Sequence, residues 1–92
     1  PAVLRLIREV GRGAQRHSRW AGVCGGLASD PLAAPILIGL GITELSATPA
    51  AIARLKAVVR TLDMGRCIDL AERACAAESA AAVREMAQGV LA

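Results

Sequence analysis

Trp20-Ala21-Gly22-Val23-Cys24-Gly25-Gly26-Leu27-Ala28-Ser29-Asp30-Pro31 is the stretch on which the fold turns. An uncharged apolar run ends at a cysteine, and two glycines permit a sharp turn. Asp30-Pro31 then has the chemistry of a helix start, a capping carboxylate before a residue that needs no N–H partner. Residues 20–24 do not alternate between polar and apolar, which predicts a strand covered on both faces, as in a parallel sheet. A thiol at the carboxyl end of such a strand, ahead of a loop and a helix, is how α/β enzymes present reactive groups.

Working outward, a helix is predicted over 31–39, with Pro35 kinking it or delaying its regular start. Gly39 and Gly41 end it, and residues 42–45 read as a second short strand. Thr48 and Pro49 open a helix over 49–62, in which Ile52, Leu55, Val58, Val59 and Leu62 form one apolar stripe. Asp63 caps a helix over 64–77 with Ile68, Ala71, Ala74 and Cys75 inward. Ser79 caps another over 80–91 with Val83, Met86, Ala87 and Val90 inward. Upstream, Val3, Leu4, Ile7, Val10 and Ala14 recur at helical spacing, predicting an amphipathic helix over 1–16. Two βα units in series imply parallel strands joined by a helical crossover. A two-stranded parallel sheet leaves its edges unpaired and its faces poorly covered, so further strands are expected from a longer parent chain or a partner molecule.

Composition points the same way. The chain has 92 residues, 54% of them hydrophobic, but much of that is alanine and Trp20 is its one aromatic residue. Such a core is thin for an isolated domain, and the length falls far short of the roughly 250 residues of a (β/α)₈ barrel. The net charge is +3, and Arg5, Arg8, Arg12, Arg16 and Arg19 cluster near the start. These arginines read as the solvated side of an amphipathic helix or as the face of an independent basic binding module. No aromatic side chains interleave them as base-stacking platforms, so nucleic acid is not an expected partner.

Cys24, Cys67 and Cys75 show no Cys-x-x-Cys spacing. Cys67 and Cys75, about two helical turns apart, suit two small buried residues and make a poor zinc site. Reduced thiols and a cytoplasmic setting are the expectation. The apolar run over 31–42 is too short, and too interrupted by proline and glycine, to span a bilayer.

Four segments together resemble enzyme I, the phosphoenolpyruvate-protein phosphotransferase of the bacterial sugar phosphotransferase system. They are Pro1–Ile7, Trp20-Ala21-Gly22-Val23-Cys24-Gly25, Leu40-Gly41-Ile42-Thr43-Glu44-Leu45-Ser46 and the Pro49–Arg60 helix. Gly25-Gly26-Leu27-Ala28-Ser29-Asp30 looks closer to the fructose-type multiphosphoryl transfer proteins. The resemblance implies an α/β chain, the C-terminal fragment of a TIM barrel that binds phosphoenolpyruvate (PEP). It would comprise the last two to three βα units and the terminal helices, over residues 1–92. It also implies Mg²⁺ held by ligands outside this chain, the phosphocarrier protein HPr as partner, and a homodimer formed through the barrel domain.

The family's catalytic cysteine falls on Cys24. When PEP gives up its phosphoryl group to a histidine on another domain, the enolate of pyruvate remains and must be protonated on carbon. A thiol with the ordinary cysteine pKa of about 8.5 holds its proton at neutral pH and can supply it. Enzyme I usually carries glutamate after Cys-Gly, where this chain has Gly26, a departure that bears on how the thiol is oriented and reprotonated. Gly25 and Gly26 let a ligand approach the backbone or simply permit a tight turn. Ser46 has a hydroxyl for a phosphate, or serves the turn into the next helix. His17 reads as a surface residue. Glu44 has no partner carboxylate for a metal and is left out of the site. The fragment alone is expected to be inactive, and a purely structural or dimerising role in the same barrel is the alternative.

Overall fold

The computed structural model describes residues 1–91. Its elements, in order, are α1 (Ala2–Arg16), β1 (Gly22–Val23), a 3₁₀ turn (Leu27–Ser29), α2 (Ala34–Gly39), β2 (Glu44–Leu45), α3 (Pro49–Val59), α4 (Met64–Ala76) and α5 (Ala80–Leu91). β1 and β2 pair in parallel with Gly22 opposite Glu44 and Val23 opposite Leu45. The chain is therefore mostly helical around a very small parallel sheet.

α2 is short but central, because both of its sides are apolar. Ile36 and Leu40 join Leu4 of α1, Leu70, Ala71, Ala74 and Cys75 of α4, and Val83 and Ala87 of α5 in the main core. On its other side Leu37, with Ala33, Ala21 and Ile42, forms a second cluster that Ile7, Ala14, Val23 and Leu45 complete under the sheet. Two glycines let these helices come close. A Cβ at Gly11 would meet the Leu40 carbonyl, and one at Gly39 would meet the Cys67 carbonyl, so neither position has room for a side chain.

Several boundaries differ from the sequence expectation. The helix predicted from Pro31 begins at Ala34, because the Asp30 carboxylate accepts from the Leu32 N–H at 3.0 Å and closes a turn instead of capping α2. Pro35 then lies in the first turn of α2, where its missing N–H costs nothing. The strand expected over 20–24 is paired only at Gly22–Val23, and that over 42–45 only at Glu44–Leu45. Thr48 flanks α3 without a side-chain cap bond, whereas Asp63 accepts from the Arg66 N–H at 3.0 Å and Ser79 from the Ala82 N–H at 3.1 Å.

The apolar stripes are also less buried than their periodicity predicts. Leu4 of α1 is buried, but Val3 and Val10 are 62% and 61% exposed, as is Leu6 at 69%. In α3 Leu55 is buried while Ile52 and Val59 are exposed, and in α4 Ile68 is exposed. Trp20, expected inside a covered strand, is 71% exposed. Periodicity reports that a face is apolar; it does not report what covers it.

Candidate active site

The two parallel strands end together, and that decides what the site contains. Before the strands, the Thr43 Oγ1 donates to the Ala21 carbonyl at 3.2 Å and accepts from the Ala21 N–H at 3.3 Å, while the Thr43 N–H donates to the same carbonyl at 2.9 Å. After them, the Ser46 N–H donates to the Val23 carbonyl at 2.9 Å. These bonds continue the register one step, bringing Cys24 and Ser46 side by side at the carboxyl edge of the sheet. Both residues are exposed. The role of Thr43 is not legible in the sequence, because a threonine just before a strand gives little signal until its partner strand is known.

Past Cys24 the chain turns away at Gly25, whose φ of +93° lies in the left-handed region open to glycine. Gly26 is right-handed, with φ −59° and ψ −39°, and opens the Leu27–Ser29 turn. A Cβ at either glycine would meet no heavy atom within 4 Å, so the space above this loop is open. The four residues singled out by sequence, Cys24, Gly25, Gly26 and Ser46, thus occupy one edge of the fold. The loop is tied at its far end by Asp30, whose Oδ2 accepts from the Arg84 guanidinium of α5 at 3.4 Å.

The three thiols differ in setting. Cys24 is exposed and Cys67 and Cys75 are buried in α4. Burial, with the Asp63 carboxylate as a second cause and Arg66 opposing, pushes the Cys67 thiol above its ordinary value. His17 is exposed and caps the carboxyl end of α1. Glu44 is exposed on β2, and among the described residues no three His, Cys, Asp or Glu side chains come together as metal ligands. The residues present therefore do not by themselves fit the Mg²⁺ that the resemblance implies.

Two apolar concavities lie nearby without reaching Cys24. One, of about 180 Å³, is formed by the start of α1, Leu27, Ile36 and α5. The other, of about 500 Å³, runs between β2 and α3 and is walled by Ile42, Leu45, Ile52, Leu55 and Val59. Among the described residues no helix is long and apolar enough to cross a membrane.

The chain matches a family model described as "PEP-utilising enzyme, PEP-binding domain" over residues 1–64. It is 50% identical over 86 residues to a multiphosphoryl transfer protein of Xanthomonas campestris pv. campestris, covering 94% of this chain and 10% of that protein. A multiphosphoryl transfer protein of Rhodobacter capsulatus is 49% identical over 84 residues, covering 91% of this chain and 10% of its own length. A phosphoenolpyruvate-protein phosphotransferase of Mycoplasma genitalium is 39% identical over 88 residues, covering 96% of this chain and 15% of its own length. The chain thus spans 10 to 15% of the length of these curated relatives.

Proposed function

The chain belongs to the PEP-utilising enzymes that share this PEP-binding domain, a family of phosphotransferases, and we propose that within a longer protein it forms the last βα units of a TIM barrel in which Cys24 protonates enolpyruvate. The phosphoryl group passes from PEP to a histidine outside these 92 residues and from there to HPr. Breaking the phosphate ester leaves an enolate. The Cys24 S–H gives its proton to the methylene carbon, pyruvate leaves, and the thiolate regains a proton from water. The single observation that carries this reading is the placement of Cys24, an exposed thiol at the carboxyl end of a parallel strand, beside Ser46 and over an open glycine loop.

The rest of the arrangement is consistent with it. A residue other than glycine would be strained at Gly25, and its absence of side chain leaves room for a ligand against the backbone. Ser46 would offer its hydroxyl to the phosphate. Gly26, in place of the family's usual glutamate, leaves reprotonation of Cys24 to solvent, which reaches an exposed thiol. The sheet has two strands and hence two unpaired edges, and the apolar groove between β2 and α3 runs beside one of them, as a barrel needing further strands requires. Homodimerisation through the barrel and a cytoplasmic location complete the proposal. By itself the segment lacks the phosphoryl acceptor and turns nothing over.

Cys24→Ser in the full-length protein tests the reading, following pyruvate and phosphohistidine formation from PEP with the melting temperature as control. A preserved fold with collapsed pyruvate formation supports proton donation by Cys24. Unchanged turnover assigns Cys24 to packing and the segment to scaffold.

A further inference from the structure

The chain's positive charge is not spread over its surface. Residues 1–19 hold five arginines against one carboxylate, Glu9, a net of +4, so the remainder of the chain sums to −1. Four of these arginines are on α1, and at 100° per residue Arg5, Arg8, Arg12 and Arg16 fall within about 80° of arc and span about 16 Å of helix axis. Arg5, Arg12 and Arg16 are exposed and Arg8 is half-buried. Roughly 95° around from the row α1 is held by Leu4 in the main core and by Gly11 on the Leu40 carbonyl, which leaves Arg5, Arg12 and Arg16 exposed.

We infer that this row is a docking surface for an acidic α-helix of another protein, whose carboxylates repeat every three to four residues. Within the chain the row is poorly compensated. Among the described residues only Glu9 pairs with it, to Arg12 at 3.4 Å, and Arg5 spends one donor on the Cys75 carbonyl at 3.3 Å. Arg8, Arg12 and Arg16 are like charges one turn apart, a spacing that destabilises a helix unless opposite charge arrives. The Arg8 Nε is buried without an acceptor, and a carboxylate at the row would draw it outward and satisfy it.

The geometry selects the partner's chemistry. A guanidinium fork pairs in a bidentate manner with a carboxylate, and a helix bearing glutamates at i, i+4, i+7 and i+11 repeats at the same rise as the row. A bilayer does not fit. The exposed apolar residues of α1, Val3, Leu6 and Val10, centre roughly 150° around the helix from the arginines, so one flat surface cannot take both. A nucleic-acid strand fits poorly as well, since no aromatic side chain stands among the arginines of the row to stack a base.

The test uses the full-length protein and two fluorescent helical peptides of identical composition, one with glutamates in a single row and one with them distributed around the helix. In anisotropy titrations at low salt the row peptide is expected to bind at least about tenfold tighter than the distributed one, and to weaken as salt rises. The Arg8→Gln, Arg12→Gln, Arg16→Gln triple variant should lose that preference, the corresponding lysine triple should keep part of it, and Arg54→Gln with Arg60→Gln should leave it intact. Equal affinity for the two peptides, no binding of either, or tighter binding to duplex DNA or to phosphatidylserine vesicles overturns the inference. Circular dichroism of each variant separates loss of binding from loss of α1.

Discussion

The backbone of Gly39 in α2 lies against the carbonyl of Cys67 in α4, so close that a Cβ on residue 39 would strike that oxygen and stand 2.9 Å from the Ala71 Cβ. The contact holds the two helices that share most of the main core. Gly39→Ala must therefore push α2 off α4, an overpacking cost of about 1–3 kcal/mol. Gly89→Ala in α5 meets open space and should instead stabilise the helix by up to about 1 kcal/mol. Urea denaturation of the two variants gives shifts of opposite sign if this packing is right.

The adjacent glycines of the site loop should respond differently to the same change. Gly25→Ala places a Cβ at φ +93°, which costs roughly 1–2 kcal/mol and pulls the loop after Cys24 out of shape. Gly26 is already right-handed with nothing near its Cβ position, so Gly26→Ala is expected to be neutral. PEP-dependent turnover of the full-length variants, measured beside their melting temperatures, distinguishes the two positions.

Thiol chemistry offers a direct check of exposure. Native protein should take up maleimide at Cys24 while Cys67 and Cys75 stay protected, and all three should react once denatured. Within this segment Cys24→Ser abolishes the native reaction. Labelling of Cys67 or Cys75 in the folded protein at a comparable rate contradicts the packing of α4.

Stability should fall on the alkaline side through Cys67. Its thiol titrates above the ordinary cysteine value in the folded chain, chiefly through burial, so the unfolded chain releases that proton first. The stabilisation is complete below about pH 9 and is lost as pH rises through the folded-state value. Cys67→Ala removes this linkage, and its stability between pH 8 and 10 should decline less steeply than that of the parent, from a lower starting point.

How much of this was legible in the sequence depends on whether the deciding partner is local. Asp63 and Ser79 cap helices with their own side chains, and those starts are visible in the chain alone. The start of α2 was not. Asp30-Pro31 looks like a helix start, but the Asp30 carboxylate goes to Leu32 and Arg84, and Pro35 proves the better marker. The carboxyl edge could be read as far as Cys24, whereas the neighbourhood of Cys24 and Ser46 rests on the Val23–Ser46 hydrogen bond, which spans two strands. The stripes of α1 and α3 are apolar as their periodicity indicates, yet Val3, Val10, Ile52 and Val59 are exposed because no element among the described residues lies over them.

Trp20 is the one aromatic residue of the chain, and it stands largely in solvent at the entry to β1, with its Cζ3 3.6 Å from where a Cβ on Gly22 would lie. The near-ultraviolet emission of the segment is therefore a one-site spectrum. It comes from four residues before Cys24, and an indole this exposed is expected to emit at the long-wavelength end of the tryptophan range. Any strand or subunit that covers the sheet at that point announces itself as a blue shift, which turns the most exposed large apolar side chain into a built-in optical gauge of assembly.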